Sequence, residues 1–129
     1  MTDPQTIAVT VPAGSEFLHI VRATVGSVAA KLDFTYEDVD DLRIAVDEAC
    51  GELLSLDEKG DAKELLVAIT PGEREVEISV STDAAFDWPS DGLHGLPWIV
   101  MSKLVDEVQT GVAERGPEIR LRKHASPSP

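Results

Sequence analysis

The sequence predicts an α+β fold: a two-layer α/β sandwich in which a mainly antiparallel sheet carries helices on one face. Three observations predict it. The candidate strands are apolar on one side only, with period two. The candidate helices carry a single apolar stripe at three- and four-residue spacing. And 129 residues rich in Val, Leu, Ile and Ala suffice for one domain with a proper core. Strands with one apolar face and helices with one apolar stripe bury both when stacked in two layers.

Each element follows in chain order. TIAVTV alternates Ile7, Val9 and Val11 with smaller or polar residues, a half-buried strand. After a turn at Ala13 and Gly14, Ser15 is the expected N-cap of a first helix, whose stripe is Leu18, Val21, Val25, Val28 and Leu32. FTYEDVDD restarts the chain, with Thr35 and Asp38 at capping-box-like spacing and acids near the positive end of the next helix dipole. That second helix, DLRIAVDEACGELLSL, places Leu42, Val46, Ala49, Leu53 and Leu56 on one side and Glu48 and Glu52 one turn apart on the other. LLVAIT and EVEISVS flank the turn PGER as a hairpin, with Val76, Ile78 and Val80 facing the core. STDAAFDWPSDGLHG is a long connection of the kind that carries function. Pro97 suits the start of a third helix, expected to run through Met101, Leu104, Val105 and Val108. EIRLRK is a last strand. The domain is expected to span residues 1–124, with 125–129 a disordered tail.

Composition narrows the function. Twenty-four acids against 11 bases give a net charge of −13, which repels phosphate backbones and anionic lipid, so direct nucleic-acid and membrane binding are disfavoured and a basic protein partner is favoured. A single cysteine excludes an internal disulfide, and Cys50 lies in the apolar sector of its helix, as a core residue rather than a nucleophile. His19, His94 and His124 have no metal-ligand spacing, so no metal site is expected. No apolar run approaches a bilayer span, and MTDPQ lacks the regions of a signal peptide, so the cytoplasm is the expected compartment. Gly51, inside a helix at a cost of about 1 kcal/mol, suggests close packing against the sheet.

Three local sequences carry a resemblance. LRIAVDEACGELLSL resembles the N-box helix, DAAFD the adenine-binding motif, and GLHGLPWIVMSKLVDEVQ the glycine-rich box and following helix, of the histidine-kinase/HSP90-like ATPase fold. Within it the chain is similar to anti-sigma factors that are also serine kinases, of the RsbW and SpoIIAB type. In that family Glu48 would be the base that activates an attacking hydroxyl, and the residue at the position of Glu52 is an asparagine that holds magnesium. Asp83 would bind the adenine amine, and Ala85 stands where a glycine lets the backbone approach. Gly92 and Gly95 would belong to the phosphate-binding glycine box, with Pro97 removing one N–H donor. The resemblance thus implies ATP and magnesium as cofactors if the pocket works. The alterations at Glu52, Ala85 and Pro97 each act against a bound anion or a close backbone, so an impaired ATP site, and no cofactor, is the expectation.

The resemblance also implies partners: a sigma factor, an anti-anti-sigma factor of the STAS type, and a second copy in a homodimer. Arg22, in VRATV of the first helix, matches the arginine of the family's partner surface, and arginine suits interface hot spots. The acids Glu37, Asp38, Asp40 and Asp41 are candidates to steer a basic partner, or to cap their helix. The expected function is therefore a sigma-sequestering anti-sigma factor. The alternatives are an active serine/threonine kinase acting on the anti-anti-sigma factor, and an acidic adaptor unrelated to sigma.

Overall fold

The computed structural model describes residues 5–89 and 92–127. Its elements are β1 (Ile7–Pro12), α1 (Leu18–Ala30), α2 (Tyr36–Leu56), β2 (Glu64–Gly72), β3 (Glu75–Thr82), α3 (Leu96–Leu104), β4 (Glu107–Val112) and β5 (Pro117–His124). The five strands form one antiparallel sheet in the order β1-β2-β3-β5-β4. Helices α1 and α2 lie on it, and α3 packs against α2 and β4. This is the predicted two-layer α+β sandwich. Among the described residues no helix is long and apolar enough to cross a membrane.

Alternation decides which sheet face is covered. In β3, Val76, Ile78 and Val80 are buried, while their neighbours Glu77 and Ser79 stand on the other face. The register sets Ile78 opposite Ile69 and Leu121, so one apolar row crosses three strands. Helix α2 meets that row with Leu42, Val46, Ala49, Cys50 and Leu53, at most 1% exposed. Removing a side chain such as Leu53 to Ala in such a layer costs about 2–5 kcal/mol. The N-cap of α2 is the expected Thr35, whose hydroxyl accepts from the Asp38 N–H at 3.1 Å.

Four expectations need correction. Ser15 does not cap the first helix. Residues Ser15–Phe17 form a 3-10 turn, and α1 starts only at Leu18 with no side-chain cap. The Ala13 N–H is still paired to Lys63 O at 2.9 Å, so the chain has to turn back over the sheet before a helix can begin.

The third helix does not reach Val108. Val105 is already extended at φ −130° and ψ 166°, and residues 107–112 form β4, which sequence periodicity passed over. Two contacts from β5 divert the chain: Lys123 Nζ donates to Leu104 O at 2.8 Å, and Arg122 O accepts from the Asp106 N–H at 2.9 Å.

Gly51 packs against nothing: it is exposed, and a Cβ there would meet no atom within 4 Å. The tail does not leave the domain at residue 125. Ala125 N donates to Arg74 O at 2.7 Å and Ser126 N to Asp38 Oδ2 at 2.8 Å. Residues 128 and 129 lie outside the described residues.

Candidate functional site

Two neighbouring sites are built on α2, one on its outer surface and one beside residues 88–89 and 92–94. The outer one is a groove of about 300 Å³ lined by Arg22 of α1 and by Asp40, Arg43, Ile44, Asp47 and Glu48 of α2. Arg22 Nη1 donates to Asp47 Oδ1 at 2.6 Å, with both side chains about 40% exposed (37% and 42%). Water screens such a pair, so its contribution to stability is at most about 1 kcal/mol. Its consequence is geometric: the guanidinium is held across the helix pair beside Ile44, which is 49% exposed. Ile44 lies off the buried stripe of α2, an apolar side chain on a polar face. That misplacement is the one sequence signal that could have revealed it, together with Asp47 as the partner of Arg22.

The inner site is a cavity of only about 60 Å³, lined by Glu52, Leu56, Trp88, Pro89, Gly92, Leu93 and His94. Trp88 fixes its wall. The indole N–H donates to Gly111 O of β4 at 2.7 Å, and its ring meets Phe86 edge to face with centroids 5.9 Å apart. Gly92 spends its own N–H on Pro89 O at 2.8 Å. Gly95, at φ +76°, a conformation that costs glycine little, caps the start of α3. Pro97 in the first turn has no N–H to offer.

Asp83 is occupied elsewhere. Its Oδ1 accepts from Lys63 N at 2.8 Å and Glu64 N at 3.2 Å, closing the start of β2. Burial pushes its carboxyl up, but these two amides, its own N–H and the charge of Arg115 together hold it below the usual carboxylate range. With Ala85 it lines a separate groove of about 490 Å³ between residues 83–87 and the β4–β5 turn. The structure therefore brings Glu52 together with Gly92, and Glu48 together with Arg22. It does not bring Asp83, Ala85 or Gly95 to the cavity beside Glu52.

Cys50 is buried in the core. Burial, helped by the charge of Asp47 and opposed by Arg22, pushes its thiol up to about 12, so it is inert at neutral pH. Among the described residues no three His, Cys, Asp or Glu side chains cluster as metal ligands. Of the four acids proposed to steer a partner, Glu37 and Asp40 are exposed. Asp38 is 3% exposed and turned toward the C-terminal segment, which removes it from that role.

Comparison with known proteins bears on the fold and the family. Residues 11–123 match the family described as histidine kinase-like ATPase domain. The chain is 55% identical over 47 residues to the serine-protein kinase RsbW of Halalkalibacterium halodurans, covering 36% of this chain and 29% of that one. It is 32% identical over 83 residues to the serine-protein kinase RsbW of Bacillus thuringiensis, covering 64% of this chain and 52% of that one. It thus spans about half, or less, of the length of the curated relatives it matches. The crystal structure of the RsbU and RsbW domains of a Mycobacterium tuberculosis protein superposes with a TM-score of 0.69 at 21% identity. That match covers 94% of this chain and 32% of the other, a likeness of fold.

Proposed function

The chain belongs to the family of histidine kinase-like ATPase domains, and from that membership we propose that it is an anti-sigma factor working by occupancy rather than by turnover of ATP. On this reading it holds an alternative sigma factor of RNA polymerase on the outer face of α1 and α2. An anti-anti-sigma protein of the STAS type releases that sigma factor by competing for Arg22. The site of action is the cytoplasm, where transcription starts. A second copy of the chain joins along the β1–α1 edge, where Ile7 and Ile20 are 41% and 40% exposed.

The volume beside Glu52 carries the reading. Pockets that enclose ligands of drug size or larger occupy roughly 300–1,000 Å³, against about 60 Å³ here and about 120 Å³ in the cavity that adjoins it at Leu56. The residues also do not suit Mg·ATP. Glu52 sets a carboxylate beside the place of a triphosphate, the Gly92 N–H and the Asp83 carboxylate are already engaged, and Pro97 lacks a donor. The outer groove has what the cleft lacks: an exposed apolar anchor, Ile44, an arginine, Arg22, oriented by Asp47, and, beside the Asp40–Arg43 pair, the carboxylate of Glu48 to attract a basic surface.

A second reading, an active serine/threonine kinase, is favoured by two observations. Glu48 is half-buried on α2 at the place of the family's base, and the relatives carry the name serine-protein kinase.

Binding of the purified chain to a panel of sigma factors, with and without Mg·ATP, tests the proposal. One sigma factor is expected to bind equally well in both conditions. Ile44→Asp is expected to weaken that complex at least tenfold, a loss of about 1.4 kcal/mol or more, while leaving the fold intact. A complex that forms only with ATP, or no complex with any sigma factor, contradicts it.

A further inference from the structure

The last described residues form a latch. Both oxygens of the buried Asp38 carboxylate, in the first turn of α2, receive Ser126: its N–H at 2.8 Å and its hydroxyl at 2.7 Å. Ala125 N is bonded to Arg74 O at 2.7 Å, and Arg74 Nη2 donates to Ser126 O at 3.2 Å, so the segment is also tied to the β2–β3 turn. From the other side, Lys123 Nζ stands 3.7 Å from Asp38 and 3.9 Å from Asp41, while bonding Leu104 O at the end of α3. One serine thus completes a network that joins the start of α2 to the end of α3 through β5. Without it a buried carboxylate would lose two of its donors, which is unfavourable in a low dielectric.

We propose that Ser126 is a phosphorylation site, and that phosphate on its hydroxyl unlatches this segment. Ser126 is half-buried and is followed by the exposed Pro127, in a segment outside the helices and strands, where local opening is easiest. A proline-directed serine kinase supplies the co-reactant, ATP. The Ser126 oxygen forms a bond to the γ-phosphorus, the bond from that phosphorus to the β,γ-bridging oxygen breaks, ADP leaves, and the hydroxyl proton passes to the kinase's base. The product carries close to two negative charges. Redocked, it would set them against an ionised carboxylate at hydrogen-bond distance, and the one cation beside that carboxylate among the described residues, Lys123, is already shared with Asp41 and Leu104 O, so the modified segment stays out. Modification therefore acts on the end of α2 that leads into the outer groove. It is independent of whether that groove holds a sigma factor.

The test uses the full chain carrying phosphoserine at position 126, compared with the unmodified chain by amide hydrogen exchange and thermal melting. The Ala125 and Ser126 amides are expected to exchange at least about tenfold faster, and the midpoint to fall by about 5 °C. Ser126→Ala, which keeps the backbone bond to Asp38, is expected to show a smaller fall. Asp38→Asn in the phosphorylated chain is expected to recover part of the loss, because the repulsion is gone. Treatment of the unmodified chain with a proline-directed kinase and ATP is expected to place phosphate on Ser126, as read by fragment mass spectrometry. Unchanged exchange in the phosphorylated chain, an equal fall in Ser126→Ala, no recovery with Asp38→Asn, or no phosphate at Ser126 would each overturn the proposal.

Discussion

Gly51 and Gly116 are both glycines, yet opposite forces hold them in place. At Gly116 the backbone has φ +153° and an added methyl would run into the Thr82 carbonyl oxygen, so Gly116→Ala is expected to destabilise by about 2 kcal/mol or more. At Gly51 the space is open and the conformation helical, so Gly51→Ala is expected to stabilise by about 0.5–1 kcal/mol. Urea unfolding of both variants checks the pair, and a destabilised Gly51→Ala would mean that the helix there is not free. Neither answer can be read from sequence. An isolated Gly in a helical stripe looks like a close contact, and only the course of the neighbouring chain shows that none exists. Thr35 was legible for the converse reason, because an N-cap is decided by the residues it precedes and needs no distant partner.

Elements are fixed by periodicity until a distant strand intervenes. The hairpin β2–β3 and the stripe of α2 were legible because alternation and three-four spacing are local. The segment 105–112 was not, since Val105 and Val108 fit a helix as well as a strand. What selects the strand is β5, whose Lys123 ends α3 and whose Arg122 starts the β4 pairing. Carboxylates tie several of these element ends. Asp38 closes the start of α2 against the C-terminal segment, Asp83 the start of β2, and Asp106 the start of β4. For Asp106 the bond from the His124 N–H is the main cause. For Asp38 and Asp83 burial raises the carboxyl, but the hydrogen bonds and nearby cations together outweigh it. All three are held below their ordinary value. Their contribution to stability is therefore fully present above about pH 4, the ordinary carboxylate range, and is lost as acid titrates the folded protein. Urea midpoints of the parent are expected to be flat from neutral pH to about 5 and to drop steeply below about 4. In Asp38→Asn the protein is expected to be weaker at neutral pH and to drop less steeply in acid. Parallel curves for the two would show that Asp38 does not carry this linkage.

Across the whole molecule, the fold was legible and the site only in part. A chain with net charge −13 folds into a two-layer sandwich of the histidine kinase-like ATPase family because its apolar residues recur at strand or helix spacing in most of its elements. The motifs drew attention to α2, where the structure divides their residues between two cavities. Glu48 lines the outer groove with Arg22, whereas Glu52 lines the small inner cavity with Gly92. The wall of the inner cavity is Trp88, pinned to Gly111 of an edge strand, β4, that local periodicity does not reveal. The central proposal is that this cleft no longer admits a triphosphate and that the acidic outer face does the work. Isothermal titration of Mg·ATP into the full chain tests it most directly. A closed cleft predicts no saturable heat, with any affinity weaker than about 1 mM, or about −4 kcal/mol. A micromolar dissociation constant, accompanied by phosphate transfer to a protein serine that Glu48→Ala abolishes, would contradict it.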